Sequence, residues 1–490
     1  MKTGVVCFLS LASLLPHDVV HAQQIDTVQL NETGRYQFPY WIFPDSSSYF
    51  TLSSRIDRLD RPYLYMACVE QGLVTLDIAD PSAPIPVDTL WPADLGGLKV
   101  TNLEQVGELL YVCLGGFEGA GETAGLAIVD VTDPSEPLIL DIWSDAAFPN
   151  GTAIVKIDGN TAYLGAMEDG VIALDVGDPA DIQFLSSYQP DPTWPGIASY
   201  APNGRGMAIV DDVLFLAYDA GGLRALDIGD PAAISQIGQY VNPNIPLLTP
   251  PAYNNLVVIN GLAYCTVDFC GLEVIDVSDP VSMTQVNWLN PWNCIGFSWF
   301  GSDGHTNEVI NTMGDSLLFI SGGDSEILVY DITAPDDPVL KGGHILANDS
   351  AAAWGVDVHG DMVVGNFVNN HNLPAQPYYS KYGGVVLFDW QVELSTGIAG
   401  GASQVKYPYL NAWPNPSSGL MDVSYWLYHA TPARLRLMDV HGRVLQEQQL
   451  PAEPGRIVLD LSATAPGLYT IMLSTRFEHL SRLVVRTEQN

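Results

Sequence analysis

Gly125–Pro134 reads GLAIVDVTDP, and the phrase returns along most of the chain. Close copies are GLVTLDIADP (Gly72–Pro81), GVIALDVGDP (Gly170–Pro179), GLRALDIGDP (Gly222–Pro231) and GLEVIDVSDP (Gly271–Pro280). Looser copies are EILVYDITAP (Glu326–Pro335) and GVVLFDW (Gly384–Trp390). The aspartates ending each apolar run are Asp77, Asp130, Asp175, Asp227, Asp276, Asp331 and Asp389, spaced 53, 45, 52, 49, 55 and 58 residues apart. A period near fifty marks a repeat architecture, in which each unit buries its faces on its neighbours.

Each copy keeps the same surroundings. Upstream lies an alternating run closed by Gly-Asn or Gly-Asp, then an Ala-Tyr run, as in AIVKIDGN (Ala153–Asn160) and TAYLGA (Thr161–Ala166). Downstream of the Asp-Pro is a short apolar stretch such as ILDIW (Ile139–Trp143). Short β-rich runs bounded by Gly, Asn, Asp and Pro predict four strands per unit, here lettered a to d. Strand c is apolar on both faces: Leu126 and Ile128 point one way, Ala127, Val129 and Val131 the other. Two-sided burial means that sheets stack face to face. Seven such units predict an all-β fold, a seven-bladed β-propeller over residues 49–394. The seven aspartates are read as turn-forming acceptors for backbone N–H groups, a structural role.

With these Gly-Leu-x-x-x-Asp cores and Asp-Pro turns, the repeat resembles the LVIVD-repeat propellers of secreted bacterial proteins. That resemblance implies a propeller on a surface or secreted protein and no defined ligand.

The two ends read differently. Gly4–Leu15 (GVVCFLSLASLL), after Lys2, has the length of a secretory leader's apolar stretch, and Val20 and Ala22 suit cleavage after Ala22. Residues 1–22 are thus read as a signal peptide and 23–48 as a lead-in ahead of the propeller. No transmembrane segment is read. Residues 395–406 are a Gly/Ala/Ser-rich linker, and 407–490 alternate as a small β-sandwich does. This last domain carries Pro414, Asn415 and Pro416 with Gly419, a turn at Gly442, the pair Gly467 and Tyr469, and a closing Arg482–Arg486 strand. In these it resembles the C-terminal sorting domain of the type IX secretion system of Bacteroidota. The resemblance implies export across the outer membrane by the type IX machinery, followed by release or attachment at the cell surface.

The formal net charge of -37 is unevenly placed. Residues 407–490 hold seven acids and seven bases, whereas residues 25–406 hold 48 acids and 11 bases. So acidic a surface excludes nucleic acid and anionic lipid as partners and favours solubility in salt. Beyond the leader there are five cysteines: Cys68, Cys113, Cys265, Cys270 and Cys294. Their spacing gives no zinc site. Cys270 and Cys294 fall in a b–c turn and a d–a crossover between the same two blades, so these two are expected to form a disulfide.

In an antiparallel blade the a–b and c–d turns share one face, and the b–c turns and d–a crossovers share the other. The first face is uniformly tight. The second takes the long insertions: 189–206, 242–255, 290–308 and 369–384. Loops this long are commonly functional. They carry Trp194, Tyr200, Tyr253 and Trp292, then Trp299, Phe300, His305, Tyr378 and Tyr379, read as candidate ligand-binding residues for a sugar or a protein. The b–c turns add Glu70, Glu118, Asp169, Asp219, Asp268 and Asp324, oxygens that calcium could take; no calcium-loop motif is present, and no cofactor is read. No catalytic motif appears. Three functions stay open: a secreted propeller that binds an extracellular protein or glycan, a polysaccharide lyase or hydrolase using carboxylates and His305 on the same face, and a structural surface-layer component.

Overall fold

The computed structural model describes residues 24–38, 49–116, 121–196, 201–245, 252–268, 270–290, 294, 306–312, 316–322, 326–345, 352–369, 383–395, 409–413, 417–426, 433–439, 443–451, 455–475 and 479–487. The leader and nearly all of the linker lie outside these. Every regular element among the described residues is a β-strand. Blade 3 shows the pattern: Ile154–Asp158, Thr161–Gly165, Val171–Asp175 and Gln183–Tyr188 pair in that order, all antiparallel. The innermost strands are Ser53–Ile56, Val100–Val106, Ile154–Asp158, Gly206–Val210, Tyr253–Ile259, Thr306–Thr312 and Ala352–His359. Each touches the next, and the last touches the first, so the seven units described close into a ring.

The seams explain the composition of strand c. Leu126 and Ile128 pack with Val155, Leu164 and Ile172 of blade 3, whereas Ala127, Val129 and Val131 pack with Tyr65, Ala67 and Leu73 of blade 1. Between blades 7 and 1 the same kind of core joins Val364, Val385 and Leu387 to Ile56, Leu64 and Met66. A blade alone would leave both faces of strand c in water, and at about 25 cal/mol per Å² of apolar surface no single blade survives that exposure.

The motif residues act at the blade edges. Asp77, Asp130, Asp175, Asp227, Asp276 and Asp331 each accept the N–H two residues on, at 2.7–3.0 Å. Asp389 differs: its strand runs on to Ser395, and its Oδ1 is buried without a partner. The motif glycines Gly72, Gly170, Gly222 and Gly271 have φ between +73° and +83°. A Cβ there would lie 2.0–2.4 Å from the last carbonyl of strand d, so no other residue fits.

One element departs from the sequence reading. Residues 23–48 were placed ahead of the ring, but Gln24–Gln37 is the outer strand of blade 7, antiparallel to Gly384–Ser395. In the other six blades the outer strand carries one extra residue against strand c, for example Leu140, Leu185 and Ile237. Gln24–Gln37 carries its own at the same register, Thr33 between the Glu32–Phe388 and Gly34–Leu387 pairs. It also pairs in parallel with the outer strand of blade 6, Val28 opposite Gly342. That approach is possible because a Cβ on Gly342 would strike the Val28 carbonyl. The first described strand therefore closes the ring.

Ion pairs gather near this closure. Asp357, fully buried on the inner strand of blade 7, accepts Arg58 Nη1 and Nη2 at 3.0 and 2.5 Å and the Ile56 N–H at 2.8 Å. Arg55 lies 4.0 Å from Asp357 and 3.9 Å from Glu104 of blade 2, which in turn faces Lys156 of blade 3 at 3.4 Å. At the register positions of Arg55, Glu104 and Lys156, blades 4 to 6 place Ala208, Val257 and Ile310 instead.

The C-terminal segment forms a three-stranded and a four-stranded sheet. They share one core that includes Met421, Val423, Leu435, Leu437, Ile471 and Val484. The Tyr469 hydroxyl donates to the Ala465 carbonyl at 2.6 Å, and the Gly419 N–H donates to the Ser417 hydroxyl. Pro414, Asn415, Pro416 and Gly442 lie outside the described residues.

Candidate functional site: the long-loop face

Strand c ends the tight face with its Asp-Pro turn and begins the other with its glycine. On that second face the b–c turns of blades 1, 3 and 4 reach across to the next blade. Val69 pairs with Val100, Met167 with Gly204 and Asp219 with Tyr253. All three turn residues hold positive φ, at 48°, 52° and 39°. For a β-branched valine this is costly, and the neighbouring blade holds it there.

Three successive crossovers are tied to the blades by three chemistries. Arg224 and Glu273 occupy the same repeat position on strand c of blades 4 and 5, where other blades have apolar residues, and both are fully buried. Arg224 holds the crossover into blade 4. Its Nη2 donates to the Asp191 and Trp194 carbonyls at 3.0 and 3.1 Å, its Nε to the Gly221 carbonyl and its Nη1 to Gln239. The guanidinium carbon sits 4.6 Å from the centre of the Trp194 ring, a cation–π contact. Glu273 holds the next crossover by accepting the Tyr240 and Tyr253 hydroxyls, both at 2.7 Å; Tyr253 OH in turn accepts the Asn242 N–H. The third crossover is tied by a disulfide between Cys270 and Cys294. Cys68, Cys113 and Cys265 are buried free thiols.

Burial pushes the Glu273 carboxyl up to about 7, against the pull of the two tyrosine hydroxyls. A folded-state value above the unfolded one means that the protonated form is favoured by folding. Its stabilising contribution is complete below about pH 4.5 and is lost as pH rises through 7. The shift corresponds to about 3 kcal/mol. Urea unfolding at pH 5 and pH 8 should therefore show the wild type losing on the order of 3 kcal/mol relative to Glu273→Gln. Parallel pH dependence of the two proteins would contradict this coupling.

The structure distributes the candidate residues unevenly. Trp194 is half-buried with one face on Arg224. Tyr253 is not a surface residue: it begins the inner strand of blade 5 and is fully buried, which removes it from any ligand-contacting set. Tyr200, Trp292, Trp299, Phe300, His305, Tyr378 and Tyr379 lie outside the described residues. Of the turn carboxylates, Glu70 lies 3.5 Å from Lys99, which Glu122, outside that set, flanks at 2.8 Å. Asp219 takes Arg205 at 3.0 Å and Asn203 at 2.7 Å. Burial raises the Asp169 carboxyl from its ordinary value against hydrogen bonds from Asn150, and its Oδ2 has no partner. Asp268 is buried, and Glu118 and Asp324 lie outside the described residues. Among the described residues no group of three or more His, Cys, Asp and Glu is arranged to hold a metal ion. Arg224 and Glu273 were not singled out in the sequence, although GLRALD and GLEVID each carry a charge inside an otherwise apolar phrase.

Comparison with known families bears on both parts of the chain. The LVIVD repeat model matches residues 62–89, 120–145 and 254–289, within blades 1, 2 and 5. The secretion system C-terminal sorting domain model matches residues 411–486, the two-sheet module. The chain carries LVIVD repeats and a secretion-system sorting domain. It is therefore a secreted or outer-surface protein handled by the type IX machinery. Among the described residues no helix is long and apolar enough to cross a membrane. No curated protein matches the LVIVD-repeat chain. Solved structures similar to it include the RRP9 WD40 repeats (9% identity, TM-score 0.49, covering 76% of this chain and 100% of that one). Sqt1 of Saccharomyces cerevisiae gives 12%, 0.45, 81% and 96%, and the designed protein Ika8 gives 11%, 0.42, 69% and 83%. At these values nothing about this chain's ligand follows from them.

Proposed function

We propose that the LVIVD propeller is a non-enzymatic binding protein, presenting its long-loop face to an extracellular protein or glycan after export by the sorting domain. The observation that carries this reading is the asymmetry of the two faces. The Asp-Pro face is built from repeated short turns whose side chains are spent on the turns themselves. The opposite face spends a buried arginine, a buried glutamate and a disulfide on fixing the bases of three long crossovers. Fixing a loop before binding removes an ordering cost that the ligand would otherwise bear.

The test is to block one face at a time on the full chain. A maleimide polyethylene glycol is attached at Thr193→Cys on the crossover face or at Glu136→Cys on the Asp-Pro face, both exposed positions. Binding is scored on a glycan array and by capture from cell-envelope extract. The label at 193 should abolish binding and the label at 136 should leave it intact. The reverse pattern, or equal loss from both, would refute the assignment.

A further inference from the structure

We propose that the propeller is held by its Asp-Pro face, and that strand c of blade 7 is built to carry the pull of whatever grips the sorting domain. This rests on the reading that the crossover face binds, and says how that face is kept free; its test needs no ligand.

In blades 1 to 6 strand c ends at its aspartate, the chain turns, and strand d runs back to the crossover face. A seventh blade in that order would release the chain from its outermost strand, on the crossover face. This chain does the opposite. Strand c of blade 7 starts at Gly384, passes Asp389 without turning and runs on to Ser395. Gln24 stands opposite Ser395, because strand d comes from the other end of the chain. The linker therefore leaves on the Asp-Pro side, about 20 Å along the strand from Asp389 at ~3.3 Å per residue. Strand c within a blade adds about 20 Å more, which puts the exit roughly 40 Å from the crossovers. From Ser395 to Tyr409, where the first strand of the sorting domain begins, the chain spans at most about 50 Å. Tyr409 reaches the crossovers only with the linker drawn out almost straight.

A pull on the sorting domain arrives at Ser395 and runs along strand c. That strand is flanked on both sides, by strand b over Gly384–Asp389 and by Gln24–Gln37 along nearly its whole length. Antiparallel hydrogen bonds lie across the strand, so a pull along it loads many at once, whereas a pull across it opens them one after another. Past Asp389 the strand is still anchored. The Trp390 indole N–H donates to the Gly360 carbonyl at 3.0 Å, and its ring meets Phe319 of blade 6 edge-on at 5.6 Å. Val392 packs on the core shared by blades 6 and 7. Taking strand d from the front of the chain thus closes the ring, moves the tail away from the crossovers and seats it on a strand with two neighbours.

Force spectroscopy on the full chain tests the load-bearing role. One handle is a peptide tag after Asn490. The other is a thiol-linked DNA at Thr193→Cys on the crossover face or at Glu136→Cys on the Asp-Pro face, both exposed. Cys68, Cys113 and Cys265 are buried, so the introduced thiol is the one labelled. Pulling from 193 loads strand c along its length; pulling from 136 draws it sideways. The propeller is told apart from the sorting domain by its longer released chain. Forced unfolding follows the unfolding barrier, and from 136 the propeller should give way at about half the force needed from 193. A permutant with Gln24–Gln37 placed behind Ser395 keeps the strand pairings but sends the linker out on the crossover face. Pulled from 193 it should drop to the lower force with its thermal midpoint unchanged. Equal forces from 193 and 136 would overturn the load-bearing role.

The held side is tested by capturing the full chain on a surface through the same tag and adding a maleimide dextran. Capture should leave labelling at 193 as fast as in solution and slow it at 136 roughly twofold, because directions of approach are lost. Equal slowing at both positions would overturn the held side. Neither result depends on the face-blocking experiment, which can fail for want of a ligand while forces and labelling rates stand.

Discussion

A chain lacking Gln24–Gln37 should fail to unfold cooperatively and should bind hydrophobic dyes at neutral pH. The deletion removes the outer strand of blade 7, and with it the partner of Gly384–Ser395 along nearly the whole of that strand. It also strips Val28 and Leu30 from a core that holds Phe319, Val329, Phe367 and Phe388 of blades 6 and 7. Losing two buried aliphatic side chains costs about 3–6 kcal/mol, at 1.5–3 kcal/mol each. That is comparable with the whole stability of a typical domain, about 5–15 kcal/mol. Strand c of blade 7 would become an unpaired edge, open to aggregation. A permutant carrying the same segment after Ser395 through a short turn should recover a single cooperative transition. A deletion variant that unfolds with the wild-type midpoint would contradict the closure.

Asp357→Ala should be the most damaging single substitution among the ion pairs, costing about 3–5 kcal/mol in urea unfolding. The carboxylate is wholly enclosed and answers Arg58 twice, the Ile56 N–H once and Arg55 at longer range. Removing it leaves the Arg58 guanidinium near the closing seam without its carboxylate partner and takes one of two carboxylates from Arg55. The Asp357 carboxyl is held below its ordinary value by the arginines although burial opposes them. With a lowered folded-state pKa, its contribution is present above the unfolded value, about 3.9, and fades as acid is added below it. The wild type should therefore lose its advantage over Asp357→Ala in strong acid. A difference below 1 kcal/mol at pH 7 would show that the pair's attraction merely offsets its desolvation.

Much of the ring was legible because strand c has to face two neighbours at once. The alternation of Leu126 and Ile128 against Ala127 and Val129 is that requirement written in side chains. The closing strand was not legible, because outer strands have no such duty. IPVDTL, QFLSSY, SQIGQY and VLKGGHI share no phrase, and most of their side chains are exposed or half-exposed. A strand count would have betrayed it, since no apolar run fit to be an outer strand follows Asp389 before the linker. The ion pairs had a signal too: Arg55, Arg58 and Arg61 crowd three of the 11 bases of residues 25–406 into seven residues.

The candidate site was harder to read for a different reason. Turn composition separates a tight face from a long one, but it does not say which aromatic folds inward. Tyr253 and Trp194 both border long loops. One is drawn wholly into the blade by Glu273, and the other stays half out on top of Arg224. Both outcomes depend on a charge buried in the next strand c, a choice made by tertiary contacts that spacing in the chain does not reveal.

Amide hydrogen exchange across Gln24–Gln37 tests the closed ring most directly. The closing strand should be as protected as Gly384–Ser395, and both should lose protection together as urea is added. Exchange of 24–37 at the rate of an unstructured peptide, with the other blades still protected, would show that the ring stands without it.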